Sequence, residues 1–69
     1  MPNTERLRRL RMLARGYSEQ LNMFTKKERQ GKLTDNDRRI RHDVVYRLMM
    51  TSMRIIYLER GREPPEPSP

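Results

Sequence analysis

Basic side chains recur at helical spacing in the first half of the chain. Drawn as a helix with about 100° per residue, five of them fall within about 60° of one another. These five residues form the basic face: Arg8, Arg11, Arg15, Lys26 and Arg29. A planar guanidinium group matches two phosphate oxygens at once. About 27 Å of helix separates Arg11 from Arg29, near the pitch of a duplex, so we predict phosphate contacts on either side of a groove.

Further arginines extend this prediction as second choices: Arg38, Arg39, Arg47 and Arg54. Arginines on a flat helical face contact the nucleic-acid backbone rather than base edges, which favours duplex or structured RNA, ahead of DNA, and no base sequence. The sequence has no zinc-finger spacing and no aromatic RNA-recognition motif, and its helices are too long for a helix-turn-helix motif.

The charge balance also favours an anionic partner. The chain of 69 residues has 16 Lys+Arg against 9 Asp+Glu, a formal net charge of +7, and a sequence pI near 10.8. Such a balance suits nucleic acid, an acidic membrane surface or an acidic protein. Two other interpretations stay open, namely a solvated face that keeps an oligomer soluble and a coding bias that inflates arginine.

The sequence offers little for catalysis or metal binding. It has no cysteine and a single histidine, which removes the usual thiolate and histidine-cluster sites. His42 and Asp43 are adjacent, so on a helix they point about 100° apart and form no dyad. The segment Thr34–Asp37 is similar to the start of a calcium loop but lacks its glycine and late glutamate. We therefore predict no enzyme, no cofactor and no metal.

Helix one is predicted from about Thr4 to about Gln30, with Asn3 or Thr4 as its cap. Its apolar residues alternate in steps of three and four, which is the pattern of a helix packed along another helix. This stripe comprises Leu7, Leu10, Ala14, Tyr17, Leu21 and Phe24.

The turn has strong local signals. Gly31 suits the end of a helix, and Thr34 with Asp37 has the spacing of a capping box. Helix two is predicted from about Asp35 to about Arg60.

Residues 1–61 are therefore predicted to form a two-helix hairpin. Residues 62–69 are proline-rich and predicted to be a disordered tail. A short turn makes the helices antiparallel, so the fold class is all-α, an antiparallel helical hairpin.

Helix two is apolar on most of its sides. The stripe expected to face helix one comprises Ile40, Val44, Leu48, Thr51, Ile55 and Leu58. One partner helix cannot cover the remaining apolar residues, so we predict a homodimer that forms a four-helix bundle. Its predicted interface comprises Val45, Met49, Met50, Met53, Ile56 and Tyr57. Docking on another protein, or lying on a membrane surface, are the alternatives.

The sequence predicts an intracellular, cytoplasmic protein, in the host cytoplasm if the chain is viral. The segment Met1–Arg11 is charged throughout and has no apolar core of a signal peptide. The most apolar stretch, Val44–Leu58, is shorter than the roughly 20 residues of a membrane span and contains two arginines.

Two short segments carry a resemblance: Asp35-Asn36-Asp37-Arg38-Arg39 at the start of helix two, and Tyr57-Leu58-Glu59 before the proline-rich end. They are similar to segments of the nodaviral silencing suppressors that bind double-stranded RNA. In layout the chain also resembles plasmid copy-number regulators that recognise paired RNA loops. Both groups are small helical-hairpin dimers, and the resemblance implies that a bundle with basic outer helices can bind a duplex. It covers under a quarter of the chain and assigns no residue a role.

These observations predict a nucleic-acid-binding protein that recognises double-stranded or structured RNA without sequence specificity, such as a viral or plasmid regulator. The alternative is a small regulator that docks on a host or partner protein through the Met-rich apolar side of helix two.

Overall fold

A computed structural model describes residues 2–62, with side chains from Thr4 onward. The chain forms two helices, α1 over Pro2–Arg29 and α2 over Asp35–Glu59, and residues 2–62 contain no strand. Arg11 near the start of α1 pairs with Glu59 at the end of α2, so the helices run antiparallel. The predicted all-helical hairpin is confirmed.

Helix α1 begins at Pro2, two residues before the predicted start. The two predicted cap positions, Asn3 and Thr4, therefore lie inside the first turn of the helix. Proline is tolerated there because the first N–H groups of a helix have no partner within the helix.

The end of α1 is closed by the backbone around Gly31. This glycine has φ of 67°, in the left-handed region. Glycine adopts this conformation at little cost in free energy because it has no β-carbon. The Gly31 N–H donates to the Glu28 carbonyl at 3.0 Å, and the Lys32 N–H donates to the Lys27 carbonyl at 2.9 Å. This pair of bonds is a Schellman motif, which satisfies carbonyl groups left open at the end of the helix.

The predicted capping box opens α2. The Asp37 N–H donates to the Thr34 hydroxyl oxygen at 3.0 Å, and the Thr34 N–H donates to the Asp37 carboxylate at 3.1 Å. Each side chain thus satisfies a backbone donor of the other residue, so the chain turns sharply into the second helix. Lys27 of α1 lies 3.5 Å from the same carboxylate.

A second glycine closes α2. Gly61 has φ of 73°, and the Arg62 N–H donates to the Tyr57 carbonyl at 2.8 Å. The proline-rich tail predicted for residues 62–69 lies, apart from Arg62, outside the described residues.

The contact between the helices follows the predicted stripes. Every residue of the α1 stripe is half-buried. On α2, Val44 and Leu58 are 5% exposed and Thr51 is 7% exposed, and these are the buried side chains of the described chain. The hairpin has so few of them because it is one helix thick, and its shortest dimension is 14 Å.

Ile40 is the exception in the α2 stripe, because it is 43% exposed. Near the turn, Asp37 and Arg41 face α1 in its place. They continue the three–four alternation back from Val44. Arg41 donates to the Glu28 carboxylate at 2.6 Å. The contact near the turn is therefore held by charged pairs, and Ile40 is rotated out of it.

Thr34→Ala should lower the free energy of unfolding by about 1 kcal/mol, because the capping box loses its hydroxyl acceptor. Urea unfolding followed by circular dichroism, at one fixed protein concentration, measures the change. Thr25→Ala is the matched control, since the Thr25 hydroxyl donates to the Leu21 carbonyl inside α1 and caps nothing. Equal losses in the two variants would contradict the role given to the capping box.

The capping box should also make stability depend on pH. The Thr34 backbone N–H, ahead of the Thr34 hydroxyl and Lys27, holds the pKa of Asp37 below its ordinary value of 3.8, although burial opposes the shift. A lowered pKa in the folded state adds stability above the unfolded pKa, and this stability is lost as the pH falls through the folded pKa. Asp37→Asn should therefore have a lower free energy of unfolding than the unchanged protein near neutral pH. This gap between the two free energies should close in acid. Unfolding curves at several pH values measure the gap, and a constant gap would contradict this prediction.

Candidate nucleic-acid interface

All five side chains of the basic face of α1 are exposed. They lie roughly a third of a turn around α1 from the stripe that contacts α2. Uncharged polar residues, Ser18 and Asn22, occupy the middle of this side of the helix. The face is therefore open to an anionic ligand along most of the length of α1.

Two members of the basic face have acidic partners. Arg11 donates to the Glu59 carboxylate of α2 at 3.0 Å. Arg15 lies 3.6 Å from Glu19, one turn further along the same helix. Both pairs are solvent-exposed, and such pairs contribute about 0.2–1 kcal/mol, so either arginine can exchange its carboxylate for a phosphate. Arg11 differs from Arg15 because its pair joins the two helices.

The other three members of the face, Arg8, Lys26 and Arg29, make no ion pair within residues 2–62. Lys26 and Arg29 lie in the last turn of α1, where the helix dipole favours positive charge. Their charge is not offset by a neighbouring carboxylate. These three residues therefore supply the strongest anion-attracting part of the face.

Arg47 and Arg54 lie on the opposite side of the hairpin from the basic face. The Tyr17 side chain and then the Asp43 carboxylate, 2.9 Å away, raise the pKa of Arg47 above its ordinary value. Arg54 and Arg47 line a shallow groove with Leu13 and Tyr17 of α1. On α1, Tyr17 lies at the edge of the stripe that contacts α2, about 120° from Arg11 on the other side of that stripe. One flat ligand on the basic face therefore does not reach Arg47 or Arg54.

Arg38 and Arg39 are exposed in the first turns of α2 and make no ion pair within the described part of the chain. They lie at the same end of the hairpin as the last turn of α1. Together with Lys32 of the turn, they form a turn-end cluster of cations without acidic partners: Lys26, Arg29, Lys32, Arg38 and Arg39.

Three ion pairs between the helices were not predicted from the sequence. They join Arg11 to Glu59, Arg41 to Glu28 at 2.6 Å, and Lys27 to Asp37 at 3.5 Å. The sequence holds one signal for the second pair, because Arg41 continues the three–four alternation that leads to Val44. The other two depend on the rotation of each helix about its own axis.

The apolar residues predicted as an oligomer interface fall into two groups. Val45, Met49, Met53 and Ile56 are exposed. Met50 and Tyr57 are half-buried, and Met50 lines the groove that also contains Tyr17. Tyr46, which the predicted interface omitted, is 51% exposed. Exposed apolar area on α2 thus lies mainly on the side that faces away from α1.

Neither a ligand cluster nor a relative indicates a function. Within residues 2–62, no group of three or more histidine or acidic residues could hold a metal ion. No helix in this part of the chain is long and apolar enough to cross a bilayer. The chain matches no protein-family model, no curated protein and no solved structure.

Arg11→Glu should lower the free energy of unfolding by about 1 kcal/mol, because it places a carboxylate against Glu59. Arg8→Glu, on the same face but without an ion pair among the described residues, should change stability by no more than a few tenths of a kcal/mol. Exchanging the charges in Arg11→Glu/Glu59→Arg should restore the loss. Denaturant unfolding of the three variants tests this, and a swap as unstable as Arg11→Glu alone would argue against the ion pair.

Proposed function

We propose that the basic face of α1 binds the sugar–phosphate backbone of double-stranded or structured RNA, and that two hairpins associate through α2 into a four-helix dimer. The observation that carries the proposal is the exposed, one-sided basic face, three of whose cations have no acidic partner within residues 2–62. The wider charge balance, a formal net charge of +7, adds long-range attraction for a polyanion.

The chemistry of the face favours backbone recognition. Its charged groups are arginines and a lysine spread along one helix, with no aromatic side chain between them on that side. Such groups bind phosphate oxygens but do not stack on bases. The wide, shallow minor groove of an A-form duplex presents phosphates and 2′-hydroxyl groups to a flat surface, which favours double-stranded RNA over B-form DNA.

The apolar surface of α2 favours self-association. A hairpin with three buried side chains has little core, and a chain of this size usually needs further support to be stable. Val45, Met49, Met53 and Ile56 are large, exposed and adjacent on α2. A second copy that covered them would add the missing core, since each fully buried apolar side chain contributes about 1.5–3 kcal/mol.

A second candidate function uses the same apolar residues differently. Met49 is 53% exposed and Met53 is 39% exposed, and flexible methionine surfaces adapt to varied protein partners. A small regulator could therefore dock on another protein through α2. Light scattering separates the two functions, because a stable dimer hides this surface whereas a monomer or heterogeneous aggregate leaves it open.

The proposal predicts salt-dependent binding to a duplex. A gel-shift titration against double-stranded RNA, double-stranded DNA and single strands should show tightest binding to double-stranded RNA. The logarithm of the association constant should fall with the logarithm of the salt concentration by about 0.9 for each phosphate contact on B-form DNA, with a comparable slope on RNA. Absence of binding to every nucleic acid at low salt would refute the proposal.

Arg8→Gln/Arg29→Gln should weaken binding by at least about tenfold at low salt and reduce the salt slope by about one unit per lost contact. Glutamine keeps the helix propensity and neither arginine holds an ion pair within residues 2–62, so the hairpin should stay folded. The matched control is Arg47→Gln/Arg54→Gln, which removes the same charge from the opposite side of the hairpin. Equal losses in the two variants would mean that net charge, and not the basic face, governs binding.

A further inference from the structure

Helix α2 carries a second packing surface opposite α1. Tyr46, Met49, Met53 and Ile56 follow steps of three, four and three, and each is between 39% and 53% exposed. They lie about 160° around α2 from the stripe that contacts α1. We name these four residues the outer face. Alternation of this kind is the pattern of a helix that packs lengthwise against another helix.

The outer face is symmetric about Thr51. Tyr46 and Ile56 lie five positions on either side of Thr51, and Met49 and Met53 lie two positions on either side. An interface with two-fold symmetry requires residue i to meet residue j while residue j meets residue i. A helix that is symmetric about one residue meets this condition when its copy runs in the opposite direction.

We propose that the outer face pairs with the outer face of a second copy, antiparallel, with the two-fold axis at the level of Thr51. Tyr46 then lies opposite Ile56 of the second copy, and Met49 lies opposite its Met53. The four helices lie side by side in the order α1, α2, α2, α1. This inference rests on the proposed self-association and specifies its surface, its direction and its register.

Charge selects the antiparallel direction. A parallel pair would bring the two turn-end clusters side by side, and their five cations have no acidic partner within residues 2–62. In the antiparallel pair, Arg38 of each copy is 13 residues from the axis, so the two clusters lie roughly 40 Å apart. This separation is several times the Debye length of about 10 Å at 0.1 M salt, so the repulsion is screened.

The same arrangement gives the two basic faces a common orientation. A two-fold axis that relates two antiparallel neighbouring helices is perpendicular to the plane containing them. Rotation about this axis leaves a residue above the plane still above it, and a residue below the plane still below it. Because the outer face is almost opposite α1, both copies of α1 lie near this plane. The basic faces of the two copies then open toward the same side, where one duplex can contact both. A parallel pair would turn the two basic faces to opposite sides.

Disulfide trapping tests the arrangement directly, because the natural sequence has no cysteine. Tyr46→Cys and Ile56→Cys are made separately and then oxidised alone and as an equal mixture. An antiparallel pair places the thiol of the Tyr46→Cys copy opposite the thiol of the Ile56→Cys copy, so the mixture should form mixed disulfide dimers while each variant alone forms few. Axially, the two copies of position 46 are about 15 Å apart, beyond the Cα separation of about 7 Å that a disulfide allows.

Met12→Cys is the control for chance collision, since Met12 is 68% exposed on α1 and lies outside the proposed contact. Met49→Cys mixed with Met53→Cys provides a second pair in the same register, in case loss of the Tyr46 ring weakens the dimer. Light scattering of the unchanged protein at several concentrations accompanies the trapping, because a single helix pair makes a small interface whose occupancy depends on concentration.

The outcomes separate the inference from the proposed function. Mixed dimers that exceed the Met12→Cys background at least about tenfold support the antiparallel pair. Disulfides formed by Tyr46→Cys alone and by Ile56→Cys alone overturn the direction but leave self-association standing. A dimer by light scattering without trapping in either mixture overturns the surface. A monomer at every concentration overturns both the pairing and the proposed dimer, whereas duplex binding is judged separately by the gel shift.

Discussion

The hairpin is one helix thick, and its other features depend on that constraint. Two antiparallel helices cover one stripe of each other and nothing else, so Val44, Thr51 and Leu58 are buried while much larger apolar side chains of α2 stay exposed. With so little core, the local devices at the helix ends carry unusual weight. The Schellman motif at Gly31 and the capping box of Thr34 and Asp37 fix the turn through hydrogen bonds to its backbone.

Some charged side chains form ion pairs that stabilise the hairpin, and others are exposed without an acidic partner among the described residues. Within residues 2–62, every acidic residue except Asp35 forms an ion pair with a nearby basic side chain. Three of these pairs bridge the helices, at Arg11, Lys27 and Arg41. The charge that remains uncompensated is therefore almost entirely positive. Five of these cations form the turn-end cluster, which supports a polyanionic ligand more directly than the net charge does.

Assembly and ligand binding are linked in the proposed arrangement. The basic face and the outer face lie on different sides of the hairpin, so a second copy can cover the apolar residues without hiding the arginines. Pairing would join two basic faces in one molecule. Once one face has bound a duplex, the other face is held near the same duplex at a high effective concentration. In the proposed pair, a duplex would therefore be bound more tightly than by a single hairpin.

The sequence by itself determined the helices, the turn and the residues that line the contact. These features depend on interactions between residues close in sequence. They are the positive φ of Gly31, the capping box between Thr34 and Asp37 three positions later, and apolar residues spaced three and four positions apart. It also located the basic residues that share one side of α1. Tertiary structure alone decided that Ile40 is exposed, that Arg11 pairs with Glu59 across 48 positions, and that Arg47 and Arg54 lie away from the basic face. These outcomes depend on how far each helix is rotated about its axis when the two pack together, and no pattern within a single helix specifies that rotation.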